Sequence, residues 1–290
     1  MTLRGLKSHF TTLLSELYPS EEIQSFFNIL STEYLNLSRI EIALKPEKAV
    51  SDEMVEEFQK AILRLKNFEP IQYIVGETEF YGLPFKVNRH TLIPRPETEE
   101  LVEWIISGQK LITNNPKSIT ILEVGTGSGC IAISLAKNLP NSRIFALDVS
   151  VEALKIAREN AEINEVEIEF FQTDILTVED LPKQFDIIVS NPPYVRELEK
   201  ELMQQNVLRY EPESALYVAN EDPLVFYRVI SKLAKNHLKP NGTLFFEINE
   251  YLATEMIALL KSEGFQNIEI NKDIFGKDRM LKCSPNEQTR

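Results

Sequence analysis

The chain runs through Asn191, Pro192, Pro193 and Tyr194 directly after the apolar run Ile187-Ile188-Val189 and Ser190. Packing of a buried strand does not call for those four residue types, but chemistry can. Neither proline has an N–H to donate, and each confines the residue before it to extended backbone. The segment therefore presents acceptors, the Asn191 side-chain carbonyl and the Pro192 backbone carbonyl, with the Tyr194 ring as a stacking face. Two neighbouring acceptors suit an NH₂ group, one hydrogen bond for each proton. An amide or base amino nitrogen is a poor nucleophile because its lone pair is delocalised. Holding both protons aims that lone pair, and the same acceptors stabilise positive charge growing on nitrogen. Asn191, Pro192, Pro193 and Tyr194 are the candidate catalytic and substrate-binding residues. No general base is evident.

A second constellation lies upstream in "LEVGTGSGCIAI", where Gly125, Thr126, Gly127, Ser128 and Gly129 join a strand to a helix. Glycines there permit positive φ and close approach of a ligand to the backbone. The dinucleotide fingerprint would need a sixth-position glycine, and Cys130 stands there instead. Glu123 before the loop suits a positive ammonium better than a pyrophosphate. Asp148 ends the next strand, where a carboxylate accepts both hydroxyls of a ribose. Asp174 ends the third and offers an acceptor to an exocyclic amino group.

The elements that must position these residues alternate. Strands are expected at "ITILEV", "RIFALD", "EIEFFQTD", "FDIIVS" and "GTLFFEI", with helices at "CIAISLAKNL", "VEALKIARENAEIN", "PLVFYRVISKLAKNHL" and "ATEMIALLKSEG" between and after them. "IEINKDI" and "RMLKC" complete a mostly parallel sheet of seven strands, an α/β Rossmann-like fold. Ligands of such sheets sit at the carboxyl ends of the strands. Residues 1–75 carry helical periodicity only, with Ser51 as an N-cap before Met54, Val55, Phe58, Ile62 and Leu65. Residues 76–96 suggest a β-hairpin connector around Gly82-Leu83-Pro84, and Pro96 then opens a helix with Glu97 in its first turn.

The glycine loop, Glu123, Asp148 and Asp174 at successive strand ends resemble the cofactor site of the class I, seven-stranded S-adenosylmethionine methyltransferases, over residues 97–290. Asn-Pro-Pro-Tyr at the fourth strand end marks those acting on NH₂ groups of planar systems. "PIQYIVGETEFYGLPFKVNRHTLIPRPETEELVE", "RYEPESAL", "FFEI" and "FGKDRML" further resemble the HemK/PrmC family over nearly the whole chain. That resemblance implies methylation of the glutamine amide nitrogen (N5) in the Gly-Gly-Gln motif of class 1 peptide chain release factors. S-adenosylmethionine would be held by Glu123, residues 125–129, Asp148, Asp174 and Asn191. Arg95, Glu97 and Thr98 would border the pocket, and the helical domain would grip the release factor. Glu123 replaces a frequent aspartate of the family, with the charge kept.

Bulk composition is that of a globular protein, 43% apolar and 26% charged in 290 residues. A formal charge of −13 argues against direct nucleic acid binding, and residues 1–75 hold 8 Lys/Arg against 11 Asp/Glu. A nucleic-acid adenine or cytosine amino-methyltransferase, the alternative, would want the opposite sign there. A dinucleotide oxidoreductase fails at Cys130, and a binding module without catalysis leaves the acceptor segment idle. Two cysteines without a disulfide framework fit a reducing cytoplasm, and no signal or membrane segment is visible. A monomer is expected. His9, His90 and His237 lack metal-ligand spacing, so no metal is expected. Cys130 and Trp104 are expected in the core, and "SEEI" and "RELEKEL" as solvated helix faces.

Overall fold

The structure is a computed structural model and describes residues 1–112, 118–181 and 183–286. The chain forms two compact units, one of residues Met1–Gly76 with Gln204–Tyr210, the other of Glu77–Met203 with Glu211–Arg290.

The first unit is helical: α1 (Leu3–Leu14), α2 (Ser20–Leu35), α3 (Arg39–Leu44), α4 (Asp52–Lys66) and α5 (Ile71–Val75). Ser51 caps α4 by accepting from Met54 N–H, as its sequence predicts, and Ser38 with Glu41 forms a capping box on α3. Apolar positions at helical spacing put Leu6, Phe10, Phe27, Phe58 and Leu65 in a core from which water is fully excluded.

The second unit opens with the hairpin β1 (Glu77–Phe80) and β2 (Leu83–Lys86), then α6 (Pro96–Ile112) with Pro96 at its first position. The turn is Tyr81-Gly82, with φ of 52° and 72°, not Gly82-Leu83-Pro84: Leu83 pairs with Phe80 and Pro84 with Glu79. Two positive φ values give the two-residue turn whose twist matches a hairpin. Tyr81 accepts that backbone because Glu99 on α6 takes its N–H at 2.8 Å and Glu103 takes its hydroxyl.

Then follow β3 (Ile119–Val124), α7 (Cys130–Asn138), β4 (Ser142–Asp148), α8 (Val151–Ile163), β5 (Ile168–Gln172) and β6 (Phe185–Ser190). Short pieces come next: β7 (Val195–Arg196), a 3₁₀ turn (Glu197–Leu202), α9 (Gln205–Tyr210, in the helical unit), α10 (Glu213–Leu216) and β8 (Tyr217–Val218). The chain closes with α11 (Val225–His237), β9 (Leu238–Glu247), α12 (Ala253–Ser262), β10 (Phe265–Lys272) and β11 (Asp278–Pro285). The seven-stranded sheet has the order β10-β11-β9-β6-β3-β4-β5, and only the contacts of β11 are antiparallel. From β3 the chain winds outward through β4 and β5, then returns to β6 on the other side of β3. That reversal opens a crevice at the carboxyl ends of β3, β4 and β6.

One sheet face buries Phe145, Phe185, Phe246 and Tyr227 with α11 and α12. The other buries Ile105 and Ile106 of α6, Ile131 and Leu135 of α7, and Phe80 and Phe85 of the hairpin. The hairpin is thus part of the sheet unit's core. Trp104, expected in the core, is half-buried against Phe245 with Lys282 over its ring. "RELEKEL" is not wholly solvated. Glu199 is buried and accepts from the Arg196 backbone and guanidinium and from Asn249 Nδ2, because it lies under the turn instead of on a helix face. Residues 113–117, 182 and 287–290 of the expected domain 97–290 lie outside the described residues.

Candidate active site

The glycine loop climbs from β3 to α7 with Gly125, Gly127 and Gly129 all at positive φ. Gly125 and Thr126 donate to the Leu147 carbonyl, which ties the loop to the end of β4. A Cβ on Gly125 or Gly127 would meet nothing, so those glycines face open space. A Cβ on Gly129 would lie 2.9 Å from Ile133 and 3.3 Å from Ala157 of α8. Gly129 therefore serves helix packing, while Gly125 and Gly127 leave open space.

Glu123, Gly125, Thr126, Gly127, Ser128, Asp148, Asp174, Asn191, Pro192 and Pro193 line one cavity of about 410 Å³. Asp148 accepts from Gly127 N–H at 2.8 Å and Ser150 N–H at 2.9 Å, one bond on each oxygen, which leaves lone pairs on both. Asp174 spends one oxygen on Leu176 N–H. Glu123 is 1% exposed, and its Oε2 accepts both from the Thr126 hydroxyl at 2.5 Å and from Ala132 N–H at 3.1 Å. Burial pushes its carboxyl up to about 8, against the pull of those two donors. Near pH 7 the carboxyl is therefore largely neutral.

Across the cavity, Ser190 at the end of β6 donates to the Val124 carbonyl, fixing the start of the acceptor segment. Asn191 donates from Nδ2 to the Thr98 hydroxyl oxygen at 3.3 Å. Tyr194 does not line the cavity as the sequence suggested. Its ring packs against the core and its hydroxyl donates to Glu247 at 2.9 Å. Burial pushes that phenol well above its ordinary range.

Arg95 and Thr98 line the cavity and Glu97 does not. Arg89, His90 and Leu92 line it too, and so does Cys130, which is half-buried in the wall and packs against the core behind it. The segment carrying them is held by buried Glu211, which accepts from Ile93 N–H at 3.2 Å and from Arg95 at 2.7 Å. Sequence reasoning missed Glu211, Glu247 and His90 as site residues. Glu211 and Glu247 do fall within "RYEPESAL" and "FFEI", the one signal available.

The residue set fits S-adenosylmethionine. A carboxylate pair of lone pairs at a strand end suits vicinal hydroxyls, Asp174 an amino group, and buried Glu123 an ammonium. The glycines leave space where any side chain would intrude. Fold and cavity together define a class, the seven-stranded α/β methyltransferases that use this cofactor.

Residues 107–220 match the family described as Methyltransferase small domain, and residues 6–76 match PrmC N-terminal domain. A release factor glutamine methyltransferase of Flavobacterium psychrophilum is 51% identical over 284 residues, covering 98% of this chain and 99% of its own. That of Bacteroides thetaiotaomicron is 44% identical over 283 residues, covering 97% and 100%. The chain belongs to the release factor glutamine methyltransferase (HemK/PrmC) family. Among solved structures, the hMettl16 catalytic domain shares the fold, with a TM-score of 0.54 at 15% identity over 83% of this chain and 84% of that one.

Proposed function

We propose that this protein transfers the methyl group of S-adenosylmethionine to the side-chain amide nitrogen, N5, of the glutamine in the Gly-Gly-Gln motif of class 1 peptide chain release factors. The observation that carries this reading is the acceptor segment itself: Asn191, Pro192 and Pro193 in the wall of the same cavity as the glycine loop, with the Asn191 amide nitrogen turned to Thr98. Family membership supports the choice of a protein glutamine over a nucleobase.

Glu123, residues 125–128, Asp148 and Asp174 would hold the cofactor, with Asn191 beside it, while Gly129 seats the loop on α8. When bound, the cofactor supplies an electrophilic methyl group. Asn191 Oδ1 and the Pro192 carbonyl accept the two protons of the substrate amide and hold its nitrogen in plane. As positive charge grows on that nitrogen, both acceptors stabilise it. Orientation is the larger contribution, worth up to about 7–11 kcal/mol in well-aligned systems. The surplus proton rests on the hydrogen bond to Asn191 Oδ1 and leaves to solvent after transfer. Tyr194 acts by anchoring the segment through Glu247 and not by stacking.

Residues 1–75 would grip the release factor, residues 76–96 connect, and residues 97–290 catalyse. Among the described residues no helix is long and apolar enough to cross a membrane. The reading puts the enzyme in the cytoplasm, where release factors work. It would act as a monomer, and without direct nucleic acid binding, given its charge. The test is transfer from isotope-labelled S-adenosylmethionine to an unmodified release factor, its Gly-Gly-Gln variant with Gln→Ala, and tRNA or DNA in parallel. Label on the first alone is expected. Label on nucleic acid alone overturns the choice of acceptor.

A further inference from the structure

One end of the Asn191 amide accepts hydrogen bonds and the other donates them, and only the accepting end serves an NH₂ substrate. What decides which end faces the cavity is not local. Asn191 Nδ2 lies 3.3 Å from Thr98 Oγ1, the Thr98 hydroxyl donates to Glu247 Oε2 at 2.6 Å, and the Tyr194 hydroxyl donates to Glu247 Oε1 at 2.9 Å. Thr98 is 2% and Glu247 1% exposed, so bulk water does not substitute for any of these partners. A hydroxyl has one proton. Once Thr98 commits it to the carboxylate, its oxygen can only accept, and the sole donor Asn191 offers is its NH₂. The Asn191 carbonyl then points the other way.

We propose that Glu247 is a positioning residue for methyl transfer. Through Thr98 it dictates which end of the Asn191 amide meets the substrate, and through Tyr194 it anchors the far end of the same four-residue segment. This rests on the reading of the chain as an amide methyltransferase. Glu247→Gln keeps size and shape but brings an NH₂ of its own. Where that NH₂ faces Thr98, the hydroxyl accepts from it and turns its proton toward Asn191. Asn191 satisfies that proton with Oδ1 and swings its NH₂ into the cavity, where donor meets donor.

The experiment compares Glu247→Gln, Thr98→Val and Thr98→Ser with the full-length wild type. Glu247→Gln and Thr98→Val are each expected to lower kcat on the release factor about 100-fold, the scale of losing one aligned transition-state partner, with the Kd for S-adenosylmethionine retained. Thr98→Ser, which restores the hydroxyl, recovers most of that loss. The double variant Thr98→Val/Glu247→Gln is no slower than the slower single, because both act through one chain of bonds. In parallel, the Asn191 side-chain NH₂ resonances, assigned by their absence in Asn191→Asp, show cross-relaxation to the Thr98 methyl in wild type and lose it in Glu247→Gln. Unchanged kcat in Glu247→Gln, a Thr98→Ser as slow as Thr98→Val, or unaltered cross-relaxation overturns the proposal. Should Glu247→Gln fail to fold, the Thr98 pair decides alone. Should the wild type leave the release factor unlabelled, the functional reading fails, and the cross-relaxation still decides the positioning.

Discussion

A carboxyl held at about 8 by burial makes Glu123 a pH-dependent weakness of the ligand-free protein. Its folded value lies above the unfolded value of about 4.5, so its favourable contribution is full below pH 4.5 and disappears as pH rises through about 8. Glu123→Gln can keep both bonds, since Thr126 and Ala132 converge on one oxygen. Thermal unfolding without cofactor is therefore expected to show the variant gaining on wild type between pH 5 and pH 9. Calorimetric titration at pH 8 should show weaker binding of S-adenosylmethionine, for want of a charge to meet its ammonium. Asn191→Ala removes one acceptor and a single long hydrogen bond, so kcat should fall about 100- to 1000-fold with the melting temperature little changed. An Asn191→Ala enzyme with wild-type kcat would refute the acceptor role. Asn191, Gly127 and Asp148 were legible because each belongs to a short, local pattern. Glu247 and Glu211 were not, because their partners Thr98 and Ile93 lie 149 and 118 residues away in sequence. An acid at the end of "LFFE" says nothing until the fold brings a hydroxyl to it.

Strands β3, β4 and β6 were readable end to end, since a strand buried on both faces is a continuous apolar run. The hairpin was readable but its turn was not. Leu83-Pro84 looks like turn chemistry, while the residue that takes positive φ is Tyr81, paid for by two glutamates of α6. Residues 203–218 escaped prediction because two-residue strands and single helical turns carry no period to detect. At this scale Gly129→Ala is the informative substitution. Its φ of 84° strains any side chain, and the added Cβ, 2.9 Å from the Ile133 side chain of α7 itself and 3.3 Å from Ala157, presses on α8. The expected result is a loss of about 1–3 kcal/mol by denaturant titration, with a cofactor Kd raised through the displaced loop. Gly127→Ala, by contrast, meets no neighbour, and its strain comes from φ alone.

On the scale of the molecule, the helical core and the sheet core were both foreseen from the switch in hydrophobic period, but not that the helical unit takes in a second stretch of chain. The helical unit includes Gln204–Tyr210, more than a hundred residues downstream of its other members. There Tyr210 donates to the Asn67 carbonyl and Arg209 lies over the Phe68 ring. Removal of residues 1–76 is expected to leave residues 204–210 without partners, readable as new proteolytic cleavage in that segment of the shortened protein. Cleavage there at the wild-type rate would show that the segment is held by other means.

That interleaving has a consequence for inheritance. A helical unit exchanged between relatives by a single junction near residue 76 would arrive without the piece of itself encoded far downstream. The host's residues 204–210 would then have to complement a foreign surface around positions 67 and 68. Transplantation should succeed only when both stretches travel together, so the gene is less divisible than its two units suggest.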